Sequence, residues 1–132
     1  MRCNSCVAER DERGTTIVEF LGVTLLVGAA VMVLLQMAVW VWCRNVAVNA
    51  ADEGARTAAE LGRPLGDGEA RTRSVLHDGL GGSAARFAVR AGQDGDAVVV
   101  EASGVAPRIV PLLPSFTVHA EARALDEDSS RP

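Results

Sequence analysis

Cys3 and Cys6 have the CxxC spacing of a metal or redox pair. A structural zinc needs four ligands, and neither a second CxxC nor a nearby histidine completes a set. They are therefore expected to be incidental thiols in a short head segment. His77 and His119 fall in different expected elements. Ser115, His119 and Glu121 supply the residue types of a hydrolytic triad. They crowd onto one strand, however, and a triad converges from separate elements. They are expected to be solvated surface groups. No phosphate loop, paired-carboxylate site or metal cluster is apparent. The expectation is a protein with no catalytic residues, no metal and no cofactor. One polar residue still poses a physical question. In RGTTIVEF, residues 13–20, Glu19 immediately precedes a run without charge, Phe20 to Cys43. A carboxylate drawn to the centre of a bilayer costs about 2.5–3.5 kcal/mol. Glu19 needs either hydrated headgroups or a cationic partner.

The element that holds Glu19 follows from length and polarity. The run FLGVTLLVGAAVMVLLQMAVWVWC makes a helix of about 36 Å, against a hydrocarbon core of about 30 Å. A chain of 132 residues is too small to bury such a helix in a soluble core, so a membrane span is expected. Trp40 and Trp42 stand at its far end, where indoles favour the interface, and Arg44 follows among the headgroups. Cys43 is expected to be a small apolar residue at that end. A cleaved secretory signal has an apolar core of only about 7–15 residues. Although Val48-Asn49-Ala50 offers a small-x-small site, the run is better suited to a retained anchor. Arg2, Arg10 and Arg13 upstream slightly outweigh Arg44 and Arg56 downstream. The N-terminus is therefore expected in the cytoplasm and the C-terminal part outside the cell membrane. The net charge of −4 argues against nucleic acid as a partner. All thirteen cations are arginine and tyrosine is absent, a composition typical of a GC-rich bacterial genome.

Residues 44–62, RNVAVNAADEGARTAAELG, continue the helix on alanine-rich sequence. Ala47, Ala51, Gly54, Ala58 and Leu61 recur at spacings of four and three, forming a packing seam of small residues. Asn49, Asp52, Glu53, Arg56 and Glu60 mark the opposite side. The seam suits either the chain's own C-terminal part or a neighbouring subunit. GRPLGDG has the composition of a linker. Glu69 to Leu80 is expected to be a short helix, with Asp67 as its N-cap and Gly79, Gly81 and Gly82 ending it. Strands are expected at Ala85–Ala91, Ala97–Ser103 and Ser115–Ala124. Asp94-Gly95 forms the hairpin turn between the first two, and the proline-rich PRIVPLLP lies outside the sheet. On the third strand Phe116, Val118, Ala120 and Ala122 share one face. That face needs a cover, and the second half of the long helix is the candidate. The expected fold is α+β: a long N-terminal transmembrane helix continues into an amphipathic helix, packed by a small three-stranded antiparallel sheet. The segments are a leader or cytoplasmic head (1–14), the spanning helix with its extension (15–62), a short helix plus sheet (63–125) and a disordered acidic tail (126–132).

Arg-Gly, four residues, Glu-Phe and an apolar run together resemble the N-terminus of type IV pilin-class proteins. With NVAVNAADEGARTAA downstream, the stretch from Arg13 to Leu61 is similar more specifically to the TadE-like family, pseudopilins of Flp/Tad pilus assembly. The resemblance implies cleavage between Gly14 and Thr15 by a prepilin peptidase, which makes Glu19 the fifth residue of the mature chain. It also implies that Glu19 pairs with the new Thr15 amine of a neighbouring subunit and sets the axial register between parallel helices. The partners it implies are the membrane, other pilin-like subunits and the Tad-type assembly machinery. Two departures stand out: the first mature residue is Thr15 rather than phenylalanine, and the leader carries Glu9, Asp11 and Glu12. The expected function is a membrane-anchored pilin-like structural protein. The alternatives are an uncut single-pass anchor presenting a small extracytoplasmic binding module, and a type II secretion pseudopilin.

Overall fold

The computed structural model describes residues 9–60 and 63–125, with the backbone alone over 9–15. Cys3, Cys6, Leu61 and the acidic tail 126–132 lie outside the described residues. The chain divides into two units, Met1–Leu35 and Gln36–Pro132.

Helix α1 runs from Glu9 to Ala59. It begins before the expected start at Thr15, because the charged residues of ERDERG are compatible with a helix. From Thr16 to Leu35 every side chain is exposed, and the most apolar window has a mean hydropathy of 2.4. This part of α1 is long and apolar enough to cross a membrane. Its hydroxyl at Thr24 is satisfied locally, donating to the Phe20 carbonyl oxygen at 2.8 Å.

In the second unit burial begins at Gln36 and continues through Cys43, Ala47, Ala50, Ala51, Gly54, Ala55, Ala58 and Ala59. That is a stripe at helical spacing, wider than the expected seam. Helix α2 spans Leu65–Leu80, four residues earlier than expected. Pro64 supplies the extended N-cap backbone, and its carbonyl oxygen accepts from the Asp67 N–H at 3.0 Å. Asp67 is thus a first-turn residue and not the cap, a position that suits its charge. Gly66 and Gly68, whose composition suggested a linker, lie inside the helix. Gly81 ends it with φ 55°, a left-handed conformation that glycine adopts without a Cβ penalty.

A 3-10 segment, Gly81–Arg86, then occupies the start of the expected first strand. Strands β1 (Phe87–Asp94), β2 (Ala97–Val105) and β3 (Thr117–Leu125) form an antiparallel meander in the order β1-β2-β3. The β1–β2 loop is Gly95-Asp96, one residue later than the expected Asp94-Gly95 pair. Asp94 instead pairs with Ala97. Gly95 has φ 62° and Asp96 does not share a positive φ, the pattern of a type II′ turn. Strand β2 runs past Ser103 because Gly104 sits opposite Phe87; a Cβ there would lie 2.6 Å from the ring. The aromatic ring occupies the space that glycine leaves.

The buried face of the sheet, including Val89, Val98, Val100, Ala102, Val118 and Ala120, joins Leu76 and Leu80 of α2 and the alanine stripe of α1 in a single core. β3 alternates as its sequence predicts, with Val118 and Ala120 inward and Thr117, His119 and Glu121 outward. The fold is α+β.

Candidate functional site

Glu19 lies on the exposed apolar part of α1, flanked by Val18 and Phe20, both 70% exposed. No cation among the described residues pairs with it. Gly14 and Thr15 precede it within the helical backbone of α1; their side chains lie outside the described residues. On an α-helix, residues four apart stand one turn apart on the same face, so Glu19 is carried one turn above Thr15.

The small residues of the second unit build a close helix crossing. Gly54 of α1 and Gly68 of α2 face each other. A Cβ on Gly54 would overlap Thr72 Oγ1 and lie 2.7 Å from the Gly68 carbonyl oxygen. A Cβ on Gly68 would lie 2.7 Å from the Gly54 carbonyl oxygen and 2.6 Å from the Ala58 Cβ. One turn-pair away, Val46 fills the space over Gly79, where a Cβ would meet it at 2.5 Å. The fully buried Thr72 hydroxyl donates to the Gly68 carbonyl oxygen at 2.9 Å, and among the described residues no buried side-chain polar atom is left unmet. Ala47, Ala51, Gly54 and Ala58 are all buried within this unit, whereas Leu61 lies outside the described residues.

Charged groups tie the rims together. The Arg71 Nε and Nη2 donate to Glu53 Oε2 at 2.9 and 2.6 Å, joining α2 to α1. Glu69 joins α2 to β1: it accepts from the Ala91 N–H at 3.1 Å and from Arg73 Nη2 at 2.9 Å. The Ala91 N–H, with the Arg73 guanidinium second, holds the Glu69 carboxyl below its ordinary pKa. The outer polar side expected for α1 is present, with Asn49, Asp52, Glu53, Arg56 and Glu60 lining an open polar groove.

Gln36 carries a role that the sequence did not reveal. It is 1% exposed although it lies inside the uncharged run. Its Nε2 donates to the Pro107 carbonyl oxygen at 3.2 Å, and its Oε1 accepts from the Ile109 N–H at 2.9 Å and the Val110 N–H at 3.4 Å. One turn further, Trp40 Nε1 donates to the Thr117 carbonyl oxygen at 3.1 Å. The signal was available: Gln36 is the lone amide side chain between Phe20 and Cys43, and such a group in an apolar setting needs partners.

The triad-like set does not converge. His119 Nε2 lies 3.1 Å from Glu101 on the neighbouring strand, and Glu121 accepts from Arg123 Nε at 2.9 Å. His77 is on α2, exposed. Among the described residues no cluster of three metal-ligating side chains occurs.

Residues 14–56 match the family model of TadE-like proteins, as the resemblance in the sequence implied. The matched stretch opens at Gly14, includes Glu19 and Gln36, and ends within the small-residue stripe of α1. The search of curated proteins and the search of solved structures returned no match.

Proposed function

We propose that this chain, TadE-like over residues 14–56, is a membrane-anchored pilin-like structural protein of Flp/Tad-type pilus assembly or secretion. The observation that carries this reading is the coincidence of the matched stretch with a helix whose residues 16–35 are exposed throughout and apolar apart from Glu19 and two threonines. A carboxylate on such a surface is disfavoured in lipid unless a cation meets it. A neighbouring subunit's freed Thr15 amine is of the right charge, and pairing fixes the stagger between parallel helices. The small-residue seam is filled by the chain's own α2 and sheet, so contacts between subunits fall to residues 17–35 and to Met37, Val41 and Val48, which remain exposed. In this arrangement the head before Gly14 is cytoplasmic, α1 crosses the cell membrane once, and residues 63–125 lie outside. The role is structural and not enzymatic, and the partners are pilin-like subunits, the Tad-type machinery and a prepilin peptidase.

The helical backbone through Gly14 and Thr15 favours a second reading, an uncut anchor, because a peptidase needs that turn unwound. Mass spectrometry of the protein from membranes that contain an active prepilin peptidase separates the two. A terminus at Thr15 supports the pilin-like reading, and an intact head supports the uncut anchor. Glu19→Val is expected to insert normally and to abolish assembly with neighbouring subunits; wild-type assembly in that variant refutes the register role.

A further inference from the structure

The second unit contains an apolar loop that its own core leaves largely uncovered. Between β2 and β3 the chain runs from Ala106 to Phe116, and Arg108 is its lone charge. The loop is firmly held at its base. Ala106 donates its N–H to the Phe116 carbonyl oxygen at 3.0 Å, and the Leu113 N–H donates to Val110 at 3.2 Å. Gln36 grips Pro107 and Ile109, as described above. Beyond these anchors Leu112 is 96% exposed and Ile109 52% exposed. A held loop that presents leucine and isoleucine outward is unfavourable in water.

The position of Gln36 along α1 identifies what covers the loop. Residues 17–35 extend about 28 Å as a helix, close to the hydrocarbon thickness of about 30 Å. With those residues in lipid, Gln36 arrives at the edge of the hydrocarbon, and Trp40, Trp42 and Arg44 follow in the interface. The loop is fastened to that same level of the helix.

We propose that the 107–114 loop is an interfacial anchor, with Ile109 and Leu112 inserted in the lipid surface through which α1 leaves the bilayer and Arg108 set against lipid phosphates. This rests on α1 being a membrane span. A second, non-helical segment then fixes the folded unit to the membrane.

Spin-label accessibility of the full-length protein in phosphatidylcholine–phosphatidylglycerol vesicles tests the proposal. Cys3→Ser and Cys6→Ser remove the head thiols, and buried Cys43 stays in place. Nitroxides are attached singly through Leu112→Cys, Leu26→Cys and Asp96→Cys. These side chains are all exposed, so the labels leave the core intact. The expected result is that the label at 112 collides more with oxygen, which concentrates in lipid, than with a water-soluble nickel chelate, as the label at 26 does. The label at 96 on the hairpin shows the reverse preference. A label at 112 that follows the pattern of 96 overturns the proposal. Shielding of 112 from both reagents overturns it in favour of a protein partner or a second copy. If the label at 26 itself meets the nickel chelate, the membrane reading fails and the loop proposal falls with it.

Discussion

Replacing Gly54 with alanine sets two large effects against each other. In the helix interior, alanine is intrinsically better than glycine by about 1 kcal/mol. At this position the added Cβ would overlap Thr72 Oγ1 and lie 2.7 Å from the Gly68 carbonyl oxygen, closer than Cβ atoms approach such groups. Neither neighbour yields easily, since one is backbone and the other a fully buried threonine. Overpacking of this kind costs about 1–3 kcal/mol. Displacing the Thr72 hydroxyl from its bond to Gly68 adds about 1 kcal/mol. The net expectation is a loss of about 1–3 kcal/mol after the propensity gain is subtracted. Urea unfolding in mild detergent, followed through Trp40, whose indole is bonded to Thr117, measures it. Gly66→Ala is the control: it too lies within a helix, α2, but its Cβ meets nothing within 4 Å, so a gain of a few tenths to about 1 kcal/mol is expected. If Gly54→Ala proves as stable as the parent or more so, the close helix crossing is not what requires glycine there.

Gln36→Leu leaves the Ile109 N–H and the Pro107 carbonyl without their side-chain partner and is expected to cost about 2–4 kcal/mol. Faster hydrogen exchange at the Ile109 and Val110 amides is the accompanying signature, and unchanged exchange contradicts the latch. Glu69→Gln is expected to lower stability at pH 7 by about 1 kcal/mol. A carboxyl with a lowered folded pKa contributes stability above its unfolded pKa and loses that contribution as pH falls through the folded one. The gap between parent and variant should therefore close below the ordinary value of about 4.5; a gap that stays constant down to pH 2 rules out ionisation of Glu69 as its source. Arg71→Ala removes a pair in which both side chains are about half exposed and is expected to change stability by only about 0.2–1 kcal/mol, less than Gln36→Leu in the same denaturation assay.

The long helix, the three strands and the inward face of β3 were legible because period and polarity alone specify them. Charge-free length marked the stretch of helix long and apolar enough to cross a membrane, and alternation marked Val118 and Ala120. Glycine was where local reading failed. Gly66 and Gly68 suggested a linker, yet Gly68 is in a helix because α1 approaches so closely that no side chain fits; contact between distant segments overrode propensity. The second strand was expected to stop at Ser103, yet Gly104 continues it and provides the space into which the Phe87 ring fits. The seam was read too narrowly for a related reason. Ala50, Ala55 and Ala59 face inward because α1 meets both a helix and a sheet, and a single-partner stripe captures only half of such a surface. The lone amide of Gln36 in an apolar run signals that it needs partners, but which segments supply them, 71 to 74 residues away, is not written locally.

The partners of Gln36 lie 71 to 74 residues further along the chain. During synthesis, its amide must wait while the rest of α1, α2 and the β1–β2 hairpin emerge. Through that interval the uncharged run is unbroken up to Cys43. In the finished fold Gln36 and Cys43 are buried, so the last two turns of that run carry an inward face that residues 16–35 lack. The end of the wholly exposed apolar surface is thus drawn twice on the same helix, first by composition at Cys43 and later by tertiary closure at Gln36, and any chain shortened before Pro107 keeps the first boundary.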